Sequence, residues 1–351
     1  MIIGIPLEIK PEEGRVALIP DACAELQRQG HQLVVQAGAG VLSGYPDQAY
    51  QQRGVEIAVD AATLYQRAEL VIKVKEPIAG DLQYLQAHHR LFCFLHLAAN
   101  EALLRQLQSI GLMAFAFETL TDNGDLPLLA PMSNIAGRIA VQAGAHYLHR
   151  SQGGKGILLG GLPGVGRGRV VVLGAGNAGG NAVRMAASMG AEVVVFDKRA
   201  DRLQAMRDLA ANVTALYPYA DQLAEQVVVA DLLIGAVLLA GARTPHLVSS
   251  EQVAAMQEGS VIVDISVDQG GCIETIHATD YRSPTYVESG VIHFGVTNMP
   301  GAVPRTASQA LSAVIMPYVK NISQEDWQAD SIVGSALNVC AGDVVYPGLE
   351  D

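Results

Sequence analysis

Cysteine is scarce in this chain, with four in 351 residues and no C-x-x-C pair among them. Cys23, Cys93, Cys272 and Cys340 stand too far apart along the sequence to read as a zinc motif. No metal is expected, and reduced thiols in a cytoplasm are the default. Long apolar runs are missing too. Hydrophobic residues make up 50% of the chain, yet no run approaches the roughly 20 residues of a membrane span, so no membrane partner is expected. Positive charge is in short supply: 23 Lys and Arg face 35 Asp and Glu, a net charge of −12 without a basic patch. That argues against a nucleic-acid partner. The first residues, Met1 to Ile9, lack the basic flank of an export signal and read as a strand. Internal repeats and low-complexity tracts are absent as well. The length suggests two domains, each with apolar residues enough for a core.

What is present centres on one stretch. Val170 to Leu173 run straight into Gly174-x-Gly176-x-x-Gly179, and a helical run, Asn181 to Met189, follows. A second apolar run, Ala191 to Phe196, ends on Asp197. The order strand, glycine turn, helix, strand, acid is that of a dinucleotide site. Gly174 permits the tight turn, Gly176 lets the backbone approach a pyrophosphate, and Gly179 lets helix and strand pack closely. The helix N-terminus presents unpaired N–H groups to the phosphates. Asp197 is placed to accept hydrogen bonds from the adenosine ribose, which points to NAD.

Strand and helix alternate along the whole chain, so the expected class is α/β with largely parallel sheets covered on both faces. In the first part, strands are expected at Ile2–Ile9, His31–Gln36, Glu69–Val74, Leu91–Leu97 and Met113–Glu118. Asn100 is expected to cap the helix that ends at Ile110. Near 131 the texture changes: Pro131-Met-Ser133 looks like a helix start with Ser133 as N-cap, followed by many small residues to Leu148. This helix is expected to join the domains. Further strands are expected at Val170–Leu173, Ala191–Phe196, Ala230–Val237, Gly259–Ser266 and Gly290–Val296. The apolar segment Ala307–Val319 is expected to pack back on the first domain. Residues 131–299 thus read as a Rossmann-type doubly wound NAD-binding domain. Residues 1–130 and 300–351 read as a related α/β substrate domain, with a substrate cleft between the two.

Four polar residues at the ends of apolar strands could carry chemistry. Arg15, in Lys10-Pro-Glu-Glu-Gly-Arg15, offers a planar fork that matches a carboxylate. Lys73 and Lys75, at the end of a buried strand, are costly there unless they serve an anion. His96 lies in the apolar stretch Phe92 to Ala99, as a core residue or as a general base poised near neutral pH. Asp268 ends the run Val261 to Asp268 ahead of two glycines, where open sheets bind ligands. Asp264, inside that run, is the better structural acid.

The motif set resembles the alanine dehydrogenase family, which takes in the NAD-binding subunit of proton-translocating transhydrogenase. The resemblance runs through Gly4-Ile-Pro-Leu-Glu-Ile-Lys10, Arg15-Val-Ala-Leu18, Lys73-Val-Lys-Glu-Pro77, Leu95-His-Leu-Ala-Ala99 and Pro127-Leu-Leu-Ala-Pro-Met-Ser133. It continues through Ala230-Asp-Leu-Leu-Ile-Gly-Ala-Val237, Asp268-Gln-Gly-Gly-Cys-Ile-Glu-Thr275 and Asn298-Met-Pro-Gly-Ala-Val-Pro304. It implies reversible oxidative deamination of L-alanine to pyruvate and ammonium, with Arg15 and Lys75 binding substrate and His96 and Asp268 as the catalytic pair. It also implies cofactor contacts at Ser133, Gly174, Gly176, Asn177, Ala178, Gly179, Asp197, Arg202, Leu238, Asp268, Asn298 and Met299, and a homohexamer. The alternatives are a related dehydrogenase or imine reductase on another small 2-oxo acid, or a transhydrogenase-like NAD-binding coupling module. The chain departs from the family pattern at Asn134-Ile135, at Pro218-Tyr219, and at Ile276-His277-Ala278, where an adenosine-side arginine is missing.

Overall fold

The computed structural model describes residues 1–237, 244–324 and 327–349. The chain divides into two compact units, Met1–Met132 with Val303–Asp351, and Ser133–Ala302. The first unit is built on β1 (Ile2–Ile5), β2 (Gln32–Gln36), β3 (Glu56–Ala58), β4 (Leu70–Ile72), β5 (Arg90–Cys93) and β6 (Met113–Ala116). These six pair in parallel in the order β6-β5-β4-β1-β2-β3. Their residues are mostly buried, which is why they read as unbroken apolar runs rather than alternating ones.

The second unit carries β7 (Arg169–Leu173), β8 (Glu192–Phe196), β9 (Val213–Leu216), β10 (Leu232–Gly235), β11 (Val261–Asp264), β12 (Thr285–Glu288) and β13 (Val291–Phe294). Its order is β12-β13-β11-β10-β7-β8-β9, parallel except for the edge strand β12. The chain then returns to the first sheet, where β14 (Leu337–Cys340) and β15 (Asp343–Val344) add an antiparallel edge beside β6. In chain order, each unit's six parallel strands follow one scheme. The first strand is central, the second and third lie on one side, and the next three lie on the other. The sequence has no repeat, but the winding does. Where that order reverses, between β1 and β4 and between β7 and β10, an open sheet leaves a crevice for a ligand.

Local signals set the helices. Pro20 opens Pro20–Arg28 at a position where its missing N–H costs nothing. Asp60 and Asn100 cap Ala61–Arg67 and Glu101–Ile110, their side chains accepting the N–H groups of Thr63 at 2.8 Å and Leu103 at 3.1 Å. The helix Ala130–Tyr147 begins three residues before Ser133. Ser133 therefore lies inside the first turn and is not the N-cap. The helix Pro304–Ile322 packs within the first unit, as Ala307–Val319 predicts, burying Leu311, Ile315 and Val319. Among the described residues, no helix is long and apolar enough to cross a membrane.

The strands are shorter than the apolar runs that announce them. Cys93 ends β5, but Phe94 and Leu95 stay buried beyond it, and Asp264 ends β11 while Ser266 and Val267 stay buried. Burial, which the sequence reports, outlasts strand pairing at these carboxyl ends. Strands β3, β9 and β12 were harder to read, being short and partly exposed.

Candidate active site

Arg15 is held before it meets any ligand. It is only 2% exposed, and its Nε donates to Glu13 Oε1 at 2.6 Å while Nη2 donates to Glu13 Oε2. A third contact runs from Nη1 to the Met132 sulfur at 3.2 Å. The loop around it is tied down by buried hydroxyls. Ser308 and Ser312, one turn apart on the helix Pro304–Ile322, accept the N–H groups of Val16 at 2.9 Å and Ile19 at 3.1 Å, and Ser43 donates to the Gly14 carbonyl at 2.8 Å. A surface arginine needs no such frame.

The two lysines part company. The strand stops at Ile72, so alternation no longer places Lys73 and Lys75 alike. Lys73 is buried between Glu8 at 3.3 Å and Asp81 at 3.2 Å, and Tyr65 donates to the same Asp81 oxygen at 2.9 Å. The anion that Lys73 serves is the protein's own. Lys75 makes no side-chain hydrogen bond or ion pair among the described residues. Burial and the neighbouring Arg15 charge hold its ammonium below the usual lysine range.

His96 is not in a strand. It follows β5 in a turn, with φ of 52°, and its side chain is exposed. The apolar neighbours that suggested a buried histidine are buried themselves, but the turn rotates this one side chain outward. Desolvation by the surrounding protein lowers its pKa; Glu118 opposes that, Lys75 lowers it further, and Glu76 and Lys10 add smaller effects of opposite sign. Arg15, Lys75 and His96 thus follow β1, β4 and β5, adjacent in the sheet, and gather at its carboxyl edge by the β1/β4 reversal. Asp268 belongs to the second unit. It lies not at a strand end but in the one-turn helix Val267–Gln269, exposed, four residues beyond β11. Asp264 is structural: its carboxylate accepts from Ser266 N–H at 2.8 Å, Cys272 N–H at 2.7 Å and Ile273 N–H at 3.2 Å.

The glycine turn closes tightly. Gly174 has φ of 95°, and a Cβ there would meet the Ala236 carbonyl at 2.7 Å. A Cβ on Gly179 would stand 1.7 Å from the Gly174 carbonyl oxygen, so no side chain fits. Gly176 precedes the helix Asn177–Ser188, whose first residues, Asn177 and Ala178, leave N–H groups for an anion. Asp197 directly follows β8 and accepts from Ala175 N–H at 2.7 Å and Arg199 N–H at 2.8 Å. Arg202 stands 3.6 Å from the same carboxylate. A turn that excludes a Cβ, an open helix N-terminus and an acid just past the next strand fit a dinucleotide. Gly179→Ala is expected to lower stability by at least about 1–3 kcal/mol and to weaken NADH binding. Thermal melts and fluorescence titration would read both, and an unchanged melt and Kd would refute the close packing.

Asn298 holds a left-handed φ of 54°, and Tyr281 donates to the Met299 carbonyl at 3.0 Å, which fixes the turn into Met299–Ala302. Ser133 is half-buried, and Leu238 lies outside the described residues. At the departure from the family pattern, Asn134 accepts from Asn181 at 2.9 Å, and Asn181 accepts from Arg138 at 3.1 Å. Sequence reading missed Glu13 and Glu118, the acids behind Arg15 and His96. Glu13 was visible two residues before Arg15, and Glu118 just past the strand that neighbours β5.

Two family models match the chain: the alanine dehydrogenase/PNT N-terminal domain over residues 4–136 and its C-terminal domain over 140–347. Alanine dehydrogenase of Halomonas elongata is 47% identical, covering 99% of this chain and 95% of its own. That of Bacillus subtilis is 45% identical, covering 99% and 93%. A solved L-alanine dehydrogenase superposes with a TM-score of 0.96 at 46% identity, over 100% of this chain and 98% of its own. A transhydrogenase from Sinorhizobium meliloti gives 0.86 at 27% identity, over 99% of each.

Proposed function

The chain belongs to the alanine dehydrogenase/PNT family, and from that membership we propose that it is an NAD-dependent oxidoreductase interconverting L-alanine with pyruvate and ammonium. The observation that carries this reading is the gathering of Arg15, Lys75 and His96 at one sheet edge, in a chain that also holds a dinucleotide turn. A module that only passes hydride between nucleotides has no use for a carboxylate clamp. In each oxidative turnover L-alanine, NAD⁺ and water become pyruvate, ammonium, NADH and one proton. NAD⁺, when bound, supplies the acceptor for the hydride that leaves the substrate's α-carbon.

The protein does the rest. Arg15 and Lys75 hold the substrate carboxylate, and Glu13 keeps the guanidinium turned toward it. Water then attacks the iminium carbon of the substrate. His96 takes the proton released, as a base whose lowered pKa keeps it neutral at neutral pH. Asp268, carried by the second unit, holds the water and the departing ammonia while the carbinolamine collapses to pyruvate. Ser133, Asn177, Ala178, Arg202, Asn298 and Met299 complete the cofactor contacts with the glycine turn and Asp197. A homohexamer, implied by the family resemblance, and a cytoplasmic location, favoured by the scattered cysteines, belong to the same proposal.

Asp197 repels a 2′-phosphate and suits a 2′-hydroxyl, so NAD⁺ should be preferred over NADP⁺. Arg199, a cation beside it, is engaged with Asp201. The test is NADH formation with L-alanine against a panel of amino acids, with each cofactor in turn. L-Alanine with NAD⁺ should give the highest kcat/KM. A better substrate elsewhere in the panel would reassign the enzyme, and comparable kcat/KM with NADP⁺ would sink the role of Asp197.

A further inference from the structure

Resting on the reading of His96 as the proton acceptor, we propose that Glu118 is a positioning residue that fixes this imidazole in space and places a negative charge beside it. The Glu118 carboxylate accepts the backbone N–H of His96 at 2.5 Å and that of Leu95 at 3.1 and 3.2 Å. Those two N–H groups belong to the turn that follows β5, and His96 in that turn sits in the left-handed region at φ of 52°. A side chain other than glycine is strained there and stays only where its surroundings over-determine it. The two anchored N–H groups are that constraint. They hold the backbone of the one residue whose side chain the turn rotates outward.

The anchor is itself fixed by the sheet. Glu118 lies two residues beyond β6, the parallel neighbour of β5, and the Phe117 N–H continues the ladder to the Cys93 carbonyl at 2.8 Å. Phe94 and Phe117 pack edge to face with centroids 5.0 Å apart, and the Phe94 and His96 rings lie nearly parallel at 5.9 Å. The backbone that carries the carboxylate is therefore fixed beside the turn. Four charged groups act on the imidazole. Glu118 and Glu76 favour its cation, while Lys75 and Lys10 oppose it, and Glu118 is the largest of the four. Desolvation also works against the cation, and Glu118 offsets part of that effect.

Two variants separate geometry from charge. Glu118→Gln keeps a carbonyl oxygen for the two N–H groups and removes the charge, whereas Glu118→Ala removes both. The acid limb of kcat/KM for alanine oxidation is expected to move to lower pH in Glu118→Gln, since the base loses the anion that favours its protonated form. In Glu118→Ala, kcat is expected to fall roughly a hundredfold, the scale of a misplaced reacting group, with NADH binding unchanged. A purely structural acid would lower the melting temperature without moving the limb. An unmoved limb, or a folded Glu118→Ala enzyme with kcat within a few fold of wild type, overturns the proposal; if Glu118→Ala does not fold, the limb of Glu118→Gln decides alone. His96→Ala is assayed alongside. A fully active His96→Ala enzyme removes the underlying reading of His96. A disabled one beside an unaltered Glu118→Gln removes only the role of Glu118.

Discussion

His96→Ala is expected to lower kcat for alanine oxidation by about 10²–10⁴-fold, the range of positioned acid–base catalysis, while NADH binds as before. The expectation follows from where the side chain stands. It is outside the strand, open to solvent, beside Lys75, and on a turn that a carboxylate holds in a strained conformation. The pH dependence has a definite sign. On the proposed role the base form is needed for oxidation, so the oxidative rate rises with pH through an ionisation that lies below that of an ordinary histidine. Reductive amination needs the protonated form and falls over the same interval, although the ionisation of ammonia opposes it. Steady-state rates across pH, with fluorescence titration of NADH, would check both. An alanine variant that keeps more than about a tenth of wild-type kcat would make His96 a bystander.

Arg15→Lys is expected to raise the KM for pyruvate about ten- to a hundredfold, because a lysine keeps the charge and loses the bidentate fork. The structure adds a second consequence. Glu13 is buried, and its two oxygens are both engaged by the guanidinium. A lysine ammonium can replace only one of these two charged contacts, so stability should fall by about 1–3 kcal/mol as well. Melting curves and pyruvate KM therefore move together, while the Kd of NADH stays put. A pyruvate KM within about twofold of wild type would leave Arg15 as a piece of the frame and nothing more.

Much of this was legible before the fold was known, for physical reasons that differ from residue to residue. The glycine turn was readable because backbone geometry demands residue types outright: at Gly179 nothing larger fits. The parallel sheets were readable because strands buried on both faces must be apolar throughout. His96 was misread as a strand residue because burial persists past the last ladder pairing at Cys93, and composition reports burial, not pairing. Lys73 and Lys75 looked equivalent because the sequence does not show which of the two meets an anion of the protein itself. Glu8 and Asp81 neutralise one, and no local pattern distinguishes it from the other. Glu13 and Glu118 went unnoticed since an acid near a cation reads as a solvated side chain until the backbone N–H groups it accepts are seen. The shared winding of the two sheets leaves no trace in the sequence, because strand order depends on crossovers and not on which residues fill the strands.

The carboxylate of Asp197 has one further consequence, for how this protein could diverge. Both its oxygens are fastened to backbone, one to Ala175 within the glycine turn and one to Arg199 beyond the strand. The acid proposed to discriminate between the two nicotinamide cofactors is also the acceptor that fastens the glycine turn. A single exchange to a small apolar residue would admit a 2′-phosphate and at the same moment release the loop meant to receive it. Any lineage or engineer seeking the phosphorylated cofactor must therefore replace Asp197 with another acceptor, such as serine or asparagine, and supply the cation separately. On that proposal, cofactor choice is tied to the same carboxylate that fastens the glycine turn, so the two change together.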